Sequence, residues 1–327
     1  MRKLLIVVLL LNAALLFAIW YELSAVAEMG RGALVGPCDS DPTKYSLDTN
    51  DDGGVDLSDF VYGLNWFFSG TEAPRVCLAA LEGGGPPIAG FTFVETNAQG
   101  YPEYTHDSSG IRFVRLPGGS FNMGSPASEV GHVADQSPVH TVSLSAFLIA
   151  KYEVSEEEWD GVIGVKGGST SQLPKVNVSW EDLHMANGFL ERTGLSLPSE
   201  AQWEHASRAG TPGPYAGTGN LGEMGWYNAN SGNQPHDVGT KQPNQFGLHD
   251  LHGNVLEWCE DVYKPDYYSD EVPGFDPLST TGVITTRVYR GGHFNGGPTG
   301  CNSAARFANT LNIGTAFVGF RPVRRLP

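Results

Sequence analysis

Apolar residues run almost unbroken from Leu4 to Ile19, with Asn12 the one polar interruption, and Arg2 and Lys3 precede them. Ala25-Val26-Ala27 follows. A basic start, an apolar run and an A-x-A step describe a secretory signal, so residues 1–27 are set apart from the fold. Leu4 to Tyr21 also comes close to the ~20 residues that span a bilayer, which keeps an uncleaved anchor as the alternative. Further on, Leu57, Phe60, Val61, Leu64, Phe67 and Phe68 recur at i, i+3, i+4 and i+7, the period of a helix with one apolar face. Glu82-Gly83-Gly84-Gly85-Pro86-Pro87 reads as a linker, extended here over residues 81–110 with one strand and a loop near Phe91-Thr92-Phe93-Val94.

From residue 111 to 327 short apolar runs alternate with capped helices. Ser155-Glu156-Glu157-Glu158 is an S-x-x-E capping box that opens a helix ending near Ile163. Ser179-Trp180-Glu181-Asp182 opens a longer one, with Trp180, Leu183, Ala186 and Leu190 on one face and Gly194 as its left-handed stop. Ser199-Glu200-Ala201-Gln202 opens a third, which Gly210 ends. Thr141–Leu144, Phe147–Ala150 and Thr286–Arg290 read as strands. No βαβ alternation occurs, so a doubly wound sheet is excluded and an α+β domain rich in irregular structure is predicted.

Composition supports that picture. Gly 42 and Pro 21 in 327 residues favour turns over a helical bundle. The net charge of −16 argues against a nucleic-acid partner, which needs a basic face. Four cysteines, Cys38, Cys77, Cys259 and Cys301, in an exported chain point to disulfides. Three pairings are open, and chain order favours 38–77 with 259–301.

Between Cys38 and Cys77, the run from Asp48 to Asp59 offers oxygen ligands at loop positions 1, 3, 5, 9 and 12: Asp48, Asn50, Asp52, Asp56 and Asp59. Gly53 stands at position 6, and Gly54 offers its carbonyl at position 7. Ca²⁺ takes six to eight oxygens in such a loop. With Asp rather than Glu at the last position, this loop resembles those of dockerin-type repeats. One repeat is visible over residues 38–80, and the alternative is an acidic, turn-rich linker.

The order of motifs in the larger region is recognisable. Leu116-Pro117-Gly118-Gly119-Ser120-Phe121-Asn122-Met123-Gly124-Ser125 comes first, followed by Tyr152-Glu153-Val154-Ser155 and Leu197-Pro198-Ser199-Glu200-Ala201-Gln202-Trp203-Glu204. Asn244-Gln245-Phe246-Gly247-Leu248, Gly253-Asn254-Val255-Leu256-Glu257-Trp258, Arg290-Gly291-Gly292 and Gly319-Phe320-Arg321 complete the series. The region resembles the formylglycine-generating enzyme family, or sulfatase-modifying factor domain. That resemblance implies a C-type-lectin-like α+β fold and an oxidase that converts a sulfatase cysteine to an aldehyde with O₂ and Cu(I).

The family holds copper on two cysteines in R-G-G-S-W-x-C-x-x-x-x-C, because soft Cu(I) prefers thiolates. Here the first of those positions is Gly296, Ser-Trp is His293-Phe294, and only Cys301 keeps a sulfur. Spaced from Arg306, Cys301 also fits a Cys-x-x-x-x-Arg pattern in which it is structural. One sulfur cannot build the pair, so copper is not expected, and Cys301 and His293 are the remaining catalytic candidates. The iron-type His-x-x-x-His-x-Glu run is missing, and His249 and His252 read as surface or turn residues. The resemblance further places a Ca²⁺ site on Asp250, Gly253, Val255 and Glu257. Trp180, Trp203 and Trp258 read as core, with Trp226 outside that set. The expectation is an exported, calcium-binding, non-oxidase scaffold for a polypeptide or glycan, in the cell envelope or outside it; an active family enzyme is the alternative.

Overall fold

A computed structural model describes residues 85–269 and 274–326. The signal segment, the acidic loop at 48–59, its following helix and the Cys38–Cys77 pair lie outside these residues.

Five strands form the first sheet: β1 (Phe91–Thr96), β2 (Pro102–His106), β3 (Arg112–Leu116), β6 (Phe147–Ala150) and β11 (Val323–Arg325), in the order β1-β2-β3-β6-β11. All its pairings are antiparallel. The inner strand β6, Phe147-Leu148-Ile149-Ala150, is buried on both faces, so it is apolar without alternation. One face carries Tyr104, Phe113, Leu148 and Ala150 into a cluster with Phe189, Trp258 and Phe320. The opposite face carries Val114, Leu116, Phe147, Ile149 and Val323 into a cluster with Trp203, Leu251 and Cys259.

A second sheet runs β10 (Val318–Gly319), β7 (Leu256–Val262), β8 (Thr286–Arg290), β9 (Phe307–Thr310), with β10 parallel to β7. A separate hairpin joins β4 (Gly119–Met123) to β5 (His140–Leu144). The three strands expected at 141–144, 147–150 and 286–290 are all present. One mixed sheet, two antiparallel ones, short helices and long loops compose this C-type-lectin-like α+β fold.

The capping boxes close as the sequence requires. In α1 (Glu156–Ile163), Ser155 Oγ accepts from Glu158 N at 3.2 Å, and the Glu158 carboxylate accepts from Ser155 N at 2.8 Å. Ser199 and Gln202 do the same for α4 (Glu200–Arg208), at 3.2 and 3.0 Å. Ser179 and Asp182 cap α2 (Trp180–His184). The single long helix expected after Ser179 is instead two. Asn187 turns left-handed at φ 59°, and α3 (Phe189–Thr193) starts anew after Gly188. A Cβ on Gly188 would lie 2.7 Å from Met185 O, so the reversal needs glycine there.

Two further expectations change. Residues 91–106 are β1 and β2, so the linker does not extend to residue 110, and Gly83–Pro327 forms one compact unit. As a sheet edge, β1 buries Phe91 and leaves Thr92, Val94, Glu95 and Thr96 exposed, which hides its strand character. Cys259 and Cys301 are not a disulfide; both are buried free thiols. Cys259 points from β7 into the core beside Val288, whereas Cys301 ends a 3₁₀ turn (Pro298–Cys301) with its Sγ toward Gly297 O.

α4 is buried along its whole length. Its charges are matched internally: Glu200 pairs with Arg306 at 2.7 Å, Glu204 with Arg208 at 2.8 Å, and Arg290 reaches both glutamates. His205 on this helix packs against Phe121 and Phe246, and burial pushes its pKa down to about 4. The unfolded chain takes up the proton near the ordinary value of 6.5, the folded chain only near 4. Stability from the neutral ring is therefore whole above pH 6.5 and is lost as pH falls towards 4. His205→Leu is expected to flatten that part of the acid limb in urea melts collected from pH 7 to 4. An unchanged slope would remove His205 from the account.

Candidate functional site

Two neighbourhoods hold the residues singled out from the sequence. The first is a buried carboxylate hub. Asp250 and Asn254 sit on either side of Gly253 in a turn with φ 64° and 63°, a left-handed geometry that Asp and Asn tolerate better than most residues. Asp250 Oδ2 accepts from Gly239 N at 2.6 Å, while its Oδ1 is buried with no hydrogen-bond partner. Glu257, at the start of β7, is fully buried. Its Oε2 accepts from Trp203 Nε1 and Arg321 Nε, each at 2.7 Å, and its Oε1 accepts from Arg321 Nη2 at 2.7 Å.

Glu153 completes the hub. Its carboxylate accepts from Asn254 Nδ2 at 2.6 Å and Val255 N at 2.9 Å, and so pins the Gly253 turn to the end of β6. Three buried carboxylates thus share one guanidinium. Burial, then the Asp250 and Glu257 charges, raise the Glu153 carboxyl well above its ordinary value. Burial also lifts Asp250 to about 6. Among the described residues no group of three or more acidic, His or Cys side chains is placed to hold a metal ion, and the hub offers a hard cation one open side-chain oxygen, Asp250 Oδ1. Of the two carboxylates expected to bind it, Asp250 has the open oxygen; both oxygens of Glu257 are already engaged.

Glu153 and Arg321 received no role from the sequence. Each lies inside a motif that carries the family resemblance, and the signal available was only that a charged residue stood in an otherwise apolar stretch.

The second neighbourhood follows β8. Gly291 and Gly292 take φ 101° and 74°, which folds the chain back onto the Cys301 turn. A Cβ on Gly292 would lie 2.6 Å from Cys301 Sγ, so this close approach depends on glycine. The loop is then tied down on several sides. Phe294 N donates to Asn254 O at 2.8 Å, Ser231 Oγ donates to Phe294 O at 2.6 Å, and Asn228 N donates to Gly296 O at 3.1 Å.

Cys301 is buried, and burial pushes its thiol up to about 12. It stays protonated at neutral pH, and a protonated thiol is a poor nucleophile and metal ligand. His293 is half-buried against Phe317, 4.7 Å away, and burial lowers its pKa. Position 296 carries no side chain. The structure therefore brings His293, Gly296 and Cys301 into one loop cluster but supplies a single sulfur. A two-thiolate Cu(I) site does not fit these residues.

Other expectations resolve differently. His252 lies in a turn, as expected, but is buried there: its Nδ1 pairs with Cys301 O at 2.9 Å and its Nε2 accepts from Ala216 N at 3.0 Å. Trp203 and Trp258 are core residues at 0% exposure, whereas Trp180 is partly buried, packed against the core cluster and lying between His184 and Arg287. Trp226 stacks on His236 at 3.8 Å, with Lys241 Nζ 3.8 Å from its ring centre.

The sulfatase-modifying factor enzyme 1-like domain family model matches residues 99–326. The formylglycine-generating enzyme of Streptomyces coelicolor is 32% identical over 280 residues, covering 64% of this chain and 87% of that one. Among solved structures, PvdO from Pseudomonas aeruginosa superposes with a TM-score of 0.60 at 26% identity, over 73% of this chain and 100% of the other. Treponema denticola variable protein 1 does so with a TM-score of 0.57 at 27% identity, over 68% and 98%. The chain belongs to the sulfatase-modifying factor family.

Proposed function

We propose that this chain is an exported member of the family that lacks the copper oxidase activity and uses its lectin-like scaffold to hold a polypeptide or glycan. The observation that carries this reading is the loop after β8. Glycine occupies position 296, and the remaining Cys301 thiol is buried and protonated. Cu(I) held by a linear pair of thiolates has one donor at most here. The second reading, an active family oxidase, draws on the 32% identity to the Streptomyces coelicolor enzyme. Fold membership alone does not carry catalysis, which depends on the site residues.

Calcium is the cofactor of this proposal. Asp250 Oδ1, with the Gly253 and Val255 carbonyls, would hold one ion in the hub; Asp48, Asn50, Asp52, Gly54, Asp56 and Asp59 would hold a second ahead of the domain. The ion's chemistry in the hub is charge compensation, and Glu153, Asn254 and Arg321 keep the turn in place around it. The apolar run at 4–19 supports export, with cleavage after residue 27 or retention as an anchor.

One set of titrations tests both metals on the full chain. Competition against a Cu(I) chelator is expected to show no tight copper binding and no aldehyde formation on a cysteine peptide. Tight Cu(I) uptake with turnover would establish the oxidase instead. Ca²⁺ is expected to raise the melting temperature, and Asp250→Asn to remove most of that rise. No rise in the unaltered chain would end the calcium proposal.

A further inference from the structure

We propose that the cavity between the start of α4 and the end of β11 binds a small zwitterionic amino acid, with Arg325, Gln202 and Ser199 taking its carboxylate and Asp276 its ammonium group.

The cavity measures about 130 Å³ and lies where four stretches of chain meet: the turn between β5 and β6, the first turn of α4, the end of β11 and the segment at Asp276. A void of ~150 Å³ accepts benzene, so this one has room for a molecule the size of alanine. Its lining carries two opposite charges. Arg325 stands two residues beyond Val323 on β11, and so shares the face that β11 turns towards Trp203 of α4. Asp276 is fixed beside β5. Its N donates to Ser143 O at 2.9 Å, and its carboxylate oxygens accept from Ser145 N at 2.8 Å and Ser145 Oγ at 2.7 Å. Among the described residues neither Arg325 nor Asp276 makes an ion pair, although both line this cavity. Opposite charges that face a shared space without closing on each other are matched by a molecule that carries both.

The carboxylate end offers more than charge. In the capping boxes of α1 and α2 the serine hydroxyl also donates to its acidic partner, Ser155 Oγ to Glu158 at 3.1 Å and Ser179 Oγ to Asp182 at 2.7 Å. In α4 the partner is Gln202, whose oxygen accepts from Ser199 N. The described residues give no acceptor to the Ser199 hydroxyl hydrogen or to Gln202 Nε2. Yet Ser199 and Gln202 are only 4% and 6% exposed, and a buried donor left unpaired costs free energy. Both line the cavity, where they converge with the Arg325 guanidinium, a group that grips carboxylates bidentately. Ala146 and Leu326 add apolar surface for a short side chain. The first amide of α4 is already taken, since Glu200 N donates to Asp261 at 2.7 Å. Asp276 repels a bare dianion such as phosphate, which leaves the zwitterion as the better match.

Titration of the ¹⁵N-labelled full chain with L-alanine tests the proposal, read on the Gln202 side-chain amide and the Ser145 backbone amide. Both are expected to shift to saturation, and the melting temperature to rise with ligand concentration. N-acetyl-L-alanine lacks the ammonium and L-alaninamide lacks the carboxylate; each should bind more weakly by about tenfold or more. These two also stand for the ends of a peptide chain, so they separate a free amino acid from a chain terminus. Arg325→Gln and Asp276→Asn should each raise Kd by about tenfold or more. Neither should disturb the fold, because Arg325 has no side-chain bond to lose among the described residues and asparagine keeps an oxygen for Ser145 N. Gln202→Glu keeps the oxygen that serves Ser199 N but sets a negative charge against the carboxylate, and should abolish saturation at Ser145. No saturable shift at these amides, either analogue binding as tightly as alanine, inorganic phosphate saturating the site in its place, or an unchanged Kd in any of the three variants would each overturn it.

Discussion

Arg321→Ala is expected to destabilise the domain by about 3–5 kcal/mol, the typical cost of removing one partner from a buried ion pair. Arg321 is fully buried and its guanidinium is spent on several partners. Its Nε and Nη2 donate to the two Glu257 oxygens at 2.7 Å each, Nη1 to Ala150 O at 3.0 Å and Nη2 to His249 O at 2.8 Å. Among the described residues it is also the guanidinium that faces Glu153, Asp250 and Glu257 together. With it gone, Glu257 loses its countercharge and three backbone carbonyls, those of Ala150, Lys151 and His249, lose a donor in a dry interior. Urea unfolding measures the loss as a fall in midpoint at constant slope. Added Ca²⁺ should restore part of the midpoint if the hub holds a cation, because the ion takes over some of the lost positive charge. A cost below about 1 kcal/mol, the range of exposed pairs, would show that the hub is hydrated and that its charge is not confined.

The residue before it supplies the second large effect. Phe320→Ala is expected to cost about 3–5 kcal/mol, the usual range for deleting a buried phenylalanine. Phe320 is fully buried, 4.9 Å from the Phe189 ring and 6.0 Å from that of Trp159, edge-on to both. Adjacent side chains of this extended segment point opposite ways. Phe320 therefore enters the cluster under α1 and α3, while Arg321 enters the carboxylate hub. The two side chains face different clusters but are adjacent in the chain, so the double variant measures their backbone coupling, which runs at about 0.5–3 kcal/mol between neighbours. Midpoints of the two single variants and the double variant decide this; a large coupling would mean that the hub and the core yield together.

Local signals in the sequence held up best. Each capping box is complete within four residues, so Ser155, Ser179 and Ser199 announce their helices without tertiary information. The strands at 141–144, 147–150 and 286–290 are legible because burial imposes their apolar runs. What escaped depends on distant chain. β1 is polar on its outer side because it is an edge, and only pairing with β2 makes it a strand. The reversal between α2 and α3 was signalled by Asn187-Gly188, but the apolar spacing across it mimicked one continuous helix. In the site, the meaning of glycine at position 296 came only through the family resemblance. The partnership of Glu153 with Asn254, and of Arg321 with Glu257, was not legible: the members of those pairs are 101 and 64 residues apart. The proposed 259–301 disulfide failed for the same reason, since chain order carries no information about which way a buried thiol faces.

The late position of β10 and β11 bears on how the protein is made. Residues 318–319 complete one sheet beside β7, and residues 323–325 complete the other beside β6. A growing chain that has not yet reached residue 318 leaves both β6 and β7 with bare edges, open to pairing with other molecules. Closure of both sheets must therefore wait until residues 318–325 have been synthesised, so the earlier strands spend that interval without their final partners.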